Sequence, residues 1–373
     1  MIVDVTPRTE PVVIVGGGQS GLAAARAGLT AGLRPVVLHA GVEPVGSWPD
    51  YYDSLTLFSP ARYSALPGLD FGGDPERYPS RDEVVAYLRR YAAGLDADVR
   101  TGVRVTAVRS RPDGGYLVHT DAGDELAAAG VVAASGSFGN PYLPVLPGQD
   151  RYAGELCHVA DYRRPDPYAG RRVVVVGAGN SAVQVAHELA GYADVTLATR
   201  APVRFLPQRI RGRDLHYWLR VTGADLLPRP VLTRLVRHAA VLDTGIYRDA
   251  IAAGAPARRA MFTAFTDDGV VWSDGRAERV DAVVFATGYR PHLDYLAPLG
   301  TLDRGLPRQR AGISTTHPGL GYLGLEFQRS FSSNTLRGVG RDAAYVTAAL
   351  AAHVSGRSRR RLAARRAAAN GRP

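Results

Sequence analysis

One succession of apolar and polar positions occurs twice along the chain. An apolar run at residues 11–15 gives way to Gly16-Gly17-Gly18-Gln19-Ser20-Gly21, then to a helix-like stretch at 22–31 and a second apolar run at 35–38. Far downstream the same order returns: an apolar run at 172–176, the turn Gly177-Ala178-Gly179-Asn180-Ser181-Ala182, a helix beginning at 183–189 and a strand at 194–197. Short apolar runs bounded by glycine predict buried strands, and the longer stretches between them predict helices. The residue after each second strand stands at one offset, His39 being 21 positions past Gly18 and Arg200 21 past Gly179.

Each unit also closes alike. Val131-Val132-Ala133-Ala134 runs into Ser135-Gly136, and Val283-Val284-Phe285-Ala286 runs into Thr287-Gly288. Before each closing strand lies a strand-and-turn stretch, at 116–124 and at 270–275, the pattern of a small antiparallel excursion from a parallel sheet. About 85 residues follow Gly288, too few for a third domain of usual size. They predict a turn and strand at 317–325 and a helix at 342–354, both returning to the first unit. The expected fold class is α/β, with two Rossmann-like dinucleotide-binding domains, the second inserted in the first. The expected boundaries are 1–159 with 291–355, then 160–290, with 356–373 as a disordered basic tail.

The glycine spacing has a chemical reason. The first glycine lets a strand turn sharply into a helix, the second lets a pyrophosphate approach the backbone, and the third position must be small so that helix and strand pack closely. The helix N-terminus then presents free N–H groups and partial positive charge to the phosphates. Gly16, Gly18 and Gly21 meet these demands in the first unit, with Ser20 at the start of its helix. Gly177, Gly179 and Ala182 meet them in the second, with Asn180 and Ser181 beside them. A single such turn also closes purely structural units; two in matched settings point to two dinucleotide sites. Arg200 points to NADPH in the second site, since an arginine pairs with a 2′-phosphate where a carboxylate would bind the ribose of NADH. His39 occupies the place where an acid would hold the adenosine ribose in the first. A ring nitrogen also hydrogen-bonds a hydroxyl, and Glu43 stands nearby.

Composition narrows the chemistry. The 373 residues suit two domains, and 46% hydrophobic residues are enough for real cores. No lysine occurs, which excludes Schiff-base catalysis. The single cysteine, Cys157, excludes a redox-active thiol pair, and no histidine or acidic cluster has metal-ligand spacing, so no metal is expected. Of the net charge of +10, seven arginines between Gly356 and Pro373 account for all but +3. No aromatic residues interleave them, so nucleic acid is not an expected partner. No apolar run reaches the length of a bilayer span and no signal pattern opens the chain, giving a cytoplasmic expectation.

Between the two glycine turns lies Tyr152-Ala153-Gly154-Glu155-Leu156-Cys157-His158-Val159-Ala160-Asp161-Tyr162. It resembles the F-x-G-x-x-x-H-x-x-x-(F/Y/W) fingerprint of the class B flavin-dependent monooxygenases, with Tyr for Phe at the first position. Gly46-Ser47-Trp48 is similar to that family's G-G-x-W, and Ala286-Thr287-Gly288-Tyr289 to its A-T-G-(Y/F). Residues 54–63 and Gln328-Arg329-Ser330-Phe331 most resemble the bacterial group that includes arsenic-operon flavoprotein monooxygenases. The resemblance covers nearly the whole chain. It implies FAD at the first turn, where Ser47, Trp48, Val105, Gly136 and Gln328 join the glycines and His39, and NADPH at the second, where Ala286, Thr287 and Gly288 join Arg200. It further implies hydride transfer from NADPH to the flavin, addition of O2 at flavin C4a to give a hydroperoxide, and oxygenation of a small nucleophilic N or S substrate. Baeyer–Villiger oxidation of a ketone is the alternative, although Tyr162 stands where those enzymes usually carry Trp; a non-oxygenating flavoprotein, with an oxidoreductase or binding role, is the other. Phe58-Ser59 stands near where a Thr-Asn pair faces the flavin in relatives, so Ser59 is a candidate catalytic residue. His158 is the other candidate, or else shapes the link between domains. His216, His292 and His317 read as ordinary polar residues. Tyr217 and Trp218 read as channel lining or as core. The expected partners are a small-molecule substrate and O2, with no nucleic acid and no membrane; a homodimer stays open.

Overall fold

A computed structural model describes residues 10–227 and 240–370, with side chains described as far as Gly356. The outermost parts of the expected boundaries, 1–9 and 371–373, lie outside these residues.

The first sheet grows from β1 (Val12–Val15), every residue of which is buried. It pairs in parallel with β2 (Pro35–His39), which pairs in turn with β3 (Asp98–Thr101). Continuous apolar runs suit a strand covered on both faces. Between β1 and β2 runs α1 (Gln19–Thr30), whose inward side carries small residues, Gly21, Ala24, Ala25 and Gly28, and so lies close to the sheet. Next to it packs α2 (Arg81–Ala93), which opens on a capping box between Ser80 and Glu83 worth about 1 kcal/mol. The antiparallel trio β4 (Val105–Ser110), β5 (Tyr116–Thr120) and β6 (Glu125–Ala128) follows as the expected excursion. Then β7 (Gly130–Ala133) returns beside β1.

The chain now leaves this sheet and builds a second, all parallel, in the order Ala257–Ala260, β10 (Asp194–Thr199), β9 (Arg172–Val176), Ala282–Phe285 and β8 (Glu155–His158). α3 (Asn180–Leu189) covers one face. Leu320–Tyr322 finally rejoins the first sheet beside β7.

Two boundaries differ from the sequence expectation. The second unit begins well before residue 160, because β8 pairs with Ala282–Phe285 and Tyr152 and Leu146 pack into its core. The last helix spans Leu336–Asn370 rather than 342–354. Its backbone continues through the segment expected to be disordered, where alanine and arginine both favour the helix.

Candidate functional site

The first glycine turn is a cradle that only glycine can form. Gly16 has φ +111°, and a Cβ there would lie 2.4 Å from the Ala134 carbonyl oxygen; at Gly21 a Cβ would lie 1.8 Å from the Gly16 carbonyl oxygen. The second clash explains why helix and strand meet so closely. α1 begins with Gly18 as its N-cap, with no side chain capping it and no acid in its first turn. Its leading N–H groups therefore remain available to an anion.

This turn forms the floor of a cleft of about 680 Å³. Of the residues assigned to FAD from sequence, Gly16, Gly18, Ser20, His39, Ser47, Trp48 and Gly136 line it. Gly21 lies behind it in the packing role described. Val105 and Gln328 do not line it. Val105 is core, and Gln328 is buried with its amide donating to the Tyr322 carbonyl at 2.9 Å. The Trp48 indole donates to Gln19 Oε1 at 3.2 Å, and the Gln19 amide donates to the Asn334 carbonyl at 2.8 Å, which ties the rim together. Tyr51, Phe138 and Tyr289 pack in succession along one wall, with ring centroids 4.5 and 5.3 Å apart, the first pair tilted and the second stacked. Sequence reasoning passed over Tyr51 and Phe138; Tyr289 was visible only as the end of its motif.

His39 turns into the cradle. Its Nδ1 accepts the Gly17 N–H at 3.2 Å, so in the neutral ring Nε2 carries the proton. That Nε2 is buried beside Gly41, faces the Glu43 backbone, and makes no hydrogen bond of good geometry with a described residue. Burial pushes the His39 pKa down from its ordinary value, which keeps the ring neutral.

The second turn is more open. Gly177 has φ +148°, with a Cβ there 2.5 Å from the Ala286 carbonyl oxygen, but a Cβ on Gly179 would meet nothing within 4 Å. α3 again starts at a glycine N-cap without side-chain capping, Asn180 and Ser181 occupy its first turn, and Ala182 packs inward. Asn180 Oδ1 is buried and unpartnered among the described residues. Arg200 is exposed at the end of β10 and forms no hydrogen bond or ion pair with a described residue. The Thr287 hydroxyl donates to the Tyr142 carbonyl beside half-buried Ala286. Gly288, assigned to the second site from sequence, lines the first cleft together with Tyr289 and Arg290. Both units thus contribute to one cleft.

The two catalytic candidates lie off it. Ser59 is buried with its Oγ 2.8 Å from Ser64 Oγ, because the 58–64 segment folds back on itself. His158, the last residue of β8, accepts the Ala160 N–H at 3.1 Å and stands edge-on behind Tyr289. Burial holds its pKa below the usual histidine value.

One polar cluster was missed from sequence. Asp214 caps α4 (Leu215–Val221) and is buried. It accepts hydrogen bonds from the Tyr78 hydroxyl (2.7 Å), the Gln208 amide (2.6 Å), the His216 backbone (2.8 Å) and His216 Nδ1 (2.7 Å). Burial opposes its charge, but the bonds from His216, Tyr78 and Gln208 hold its pKa down at about 2. His216 is therefore not the ordinary polar residue expected. The only signal was an acid two positions before a histidine. Trp218 donates to the Ile210 carbonyl at 3.0 Å and does not line the cleft.

Together these features define an α/β oxidoreductase in which two glycine turns each stand at a helix N-terminus and both units line one cleft. The chain belongs to the pyridine nucleotide-disulphide oxidoreductase family, whose model matches residues 13–324, and within it is an enzyme of the flavin-dependent monooxygenase kind. It is 33% identical over 334 residues to the indole-3-pyruvate monooxygenase YUCCA1 of Oryza sativa subsp. japonica, covering 81% of each chain. It is 31% identical to a flavin-containing monooxygenase from Stenotrophomonas maltophilia, with a TM-score of 0.80 over 92% of this chain and 98% of that one. It is 27% identical to the uncharacterized oxidoreductase CzcO of Bacillus subtilis, over 90% of this chain and 97% of that one. The disulphide of the family description has no counterpart here: Cys157 is the single cysteine, and burial pushes its thiol up to about 11. Among the described residues no cluster could hold a metal, and no helix is long and apolar enough to cross a membrane.

Proposed function

We propose that this enzyme binds FAD along the first cleft and NADPH at the second glycine turn, and oxygenates a small nucleophilic nitrogen or sulfur compound with O2. The observation that carries the reading is the shared cleft, with a glycine cradle at a helix N-terminus on its floor and Gly288 to Arg290 of the second unit on its wall. The two domains are then dinucleotide-binding units of Rossmann type, the second inserted in the first. When bound, the flavin supplies the hydride-accepting and oxygen-activating chemistry that no side chain here provides.

The chain's own residues bind, orient and exclude water. The N–H groups at the start of α1 hold the FAD pyrophosphate, and the buried Nε2–H of His39 donates to an adenosine ribose hydroxyl, in place of an acid that would accept from it. The packed rings of Tyr51, Phe138 and Tyr289 keep one wall of the cleft largely apolar, which restricts water at the reacting end. The N-terminus of α3 holds the NADPH pyrophosphate, and unpaired Arg200 is free to pair with the 2′-phosphate. The test is product stoichiometry. With a thioether or tertiary amine supplied, each NADPH and O2 consumed should yield one sulfoxide or amine oxide. NADPH oxidation that yields only hydrogen peroxide across both substrate classes contradicts the reading.

A further inference from the structure

The wall of the cleft is one end of a longer row of oxidisable rings that runs into the second unit. Trp48 and Tyr51 line the cleft, with ring centroids 5.6 Å apart. Tyr52 is the next residue along the chain and is buried, and its phenol lies close enough to that of Tyr51 to feel its charge. The Tyr52 ring stands 6.1 Å from that of Tyr162, and the Tyr162 ring 5.9 Å from that of Tyr168. Beyond Tyr168 the row meets the surface. Arg171 lies over the Tyr168 ring at 5.3 Å and pairs with Glu155 at 2.7 Å, and both of these side chains reach solvent.

The hydroxyls set this row apart from ordinary packing. A core that needed only apolar bulk would take phenylalanine, since each buried hydroxyl must find a partner. Here Tyr162 donates to Glu188 Oε2 at 2.8 Å, Tyr168 to Glu155 Oε1 at 3.0 Å, and Tyr52 to Gln184 Oε1 at 2.6 Å. Burial raises the Tyr162 and Tyr168 phenols above their ordinary range, so both keep their protons at rest. A phenol that loses an electron becomes a strong acid, and a carboxylate on its hydroxyl then takes the proton. The oxidised ring is thereby left without charge in the apolar core, where a charge would be costly. Cys157, with Sγ 3.5 Å from the Tyr168 hydroxyl, places a further one-electron donor beside the last ring.

We propose that Tyr51, Tyr52, Tyr162 and Tyr168 form a path for oxidising equivalents, which drains oxygen-centred radicals from the cleft to the surface at Glu155 and Arg171. The inference rests on the oxygenase reading above, because O2 reduced in the cleft without capture by substrate is the source of such radicals. In the first step Tyr51 gives an electron and its hydroxyl proton to the radical, which leaves as a hydroxyl compound. The electron is replaced from Tyr52 and the proton from water in the cleft. Tyr52 shares its proton with Gln184 until an electron arrives from Tyr162, whose own proton moves to Glu188. Tyr168 then reduces Tyr162, passing its proton to Glu155, while the Glu188 proton returns. Last, a small thiol in solution supplies one electron to Tyr168 and leaves as a thiyl radical. The Glu155 proton returns, and the thiol proton released to solvent balances the one drawn from the cleft. In sum, one oxygen radical is reduced and one thiol is oxidised, with the protein unchanged.

The test reads the path apart from oxygenation. The holoenzyme is illuminated anaerobically with blue light, which makes a bound flavin a one-electron oxidant, in the presence of a nitrone spin trap. Adducts are then located by peptide mass spectrometry. In the wild type they should reach Tyr168 and Cys157. In Tyr162→Phe, which removes one hydroxyl and keeps the ring, they should stop at Tyr51 and Tyr52. Glu188→Gln, which removes the proton acceptor and keeps the shape, should stop them at the same place. Wild-type adducts confined to Trp48 and Tyr51 overturn the proposal without recourse to any variant, and so do adducts at Tyr168 undiminished in Tyr162→Phe. A second measurement counts turnovers before inactivation with NADPH and O2 but no substrate. Tyr162→Phe should lower that count several-fold at an unchanged initial rate, whereas Tyr192→Phe, an exposed phenol off the row, should not. Equal counts in the wild type and Tyr162→Phe overturn the protective role. If light gives the expected map but NADPH and O2 yield neither peroxide nor product, the path is supported and the oxygenase reading is at fault.

Discussion

The two glycine turns share a sequence pattern but differ in tightness. In the first, a Cβ at Gly16 or Gly21 would collide with backbone, His39 folds inward to cap Gly17, and the turn floors the cleft. In the second, the first glycine is as constrained, but the space around Gly179 is empty, Ala182 stands where the other has Gly21, and Arg200 points to solvent. The difference is what one cofactor held throughout turnover and another exchanged each cycle would require. A tight cradle lowers the release rate, and an open turn with an exposed arginine allows recognition and departure.

Breaking the tighter turn should have the larger effect. Gly16→Val forces a branched side chain into a left-handed conformation against the Ala134 carbonyl, and binding of FAD is linked to folding. The expected outcome is colourless or unfolded protein, read by absorbance near 450 nm and by thermal melting. In Gly179→Val the new Cβ has no protein atom within 4 Å, so the fold and the yellow colour should survive. Reduction by NADPH should slow on the order of 100-fold through lost phosphate contacts, while dithionite reduces the protein normally in rapid mixing. If Gly179→Val lost the flavin and Gly16→Val kept it, the assignment of cofactors to turns would be reversed.

Smaller effects sharpen the contrast at the two strand ends. Arg200→Ala should weaken NADPH binding by roughly 10- to 150-fold, the worth of a charge-assisted pair of about 1.5–3 kcal/mol, with NADH little changed. Equal losses for both nucleotides would make Arg200 structural. At the other strand end the expected signal is pH dependence. Burial lowers the folded-state pKa of His39 below its unfolded value, so the stability it contributes is present above about pH 6.5. It is lost as pH falls through the lowered value, when a proton on Nδ1 would face the Gly17 N–H. The melting temperature should drop on acidification by on the order of a few degrees from this residue. His39→Asn, which accepts the same N–H without titrating, should remove that part of the drop.

Much of this contrast was legible in the sequence. Equal offsets from Gly18 to His39 and from Gly179 to Arg200 located both strand ends, since the spacing of a strand–turn–helix–strand unit is fixed by local geometry. What escaped were features decided by distant contacts. β8 has exposed Glu155 at one end and only partly buried Leu156 and Cys157 between, so nothing local marked it as a strand of the second sheet. Val105 and Gln328 looked like cofactor contacts by motif position, but packing turned them into the interior. Asp214 and His216 gained meaning only when Tyr78 and Phe58, far earlier in the chain, folded over them.

The most direct test of the central claim is to denature the purified enzyme, identify the released cofactor by chromatography, and titrate the native holoenzyme anaerobically with NADPH. Stoichiometric FAD, with its visible band bleached by one equivalent of NADPH, is the predicted result, because both units line one cleft. FMN alone, no flavin after reconstitution, or FAD that dithionite reduces but NADPH does not would contradict the account of two dinucleotides meeting across a shared site.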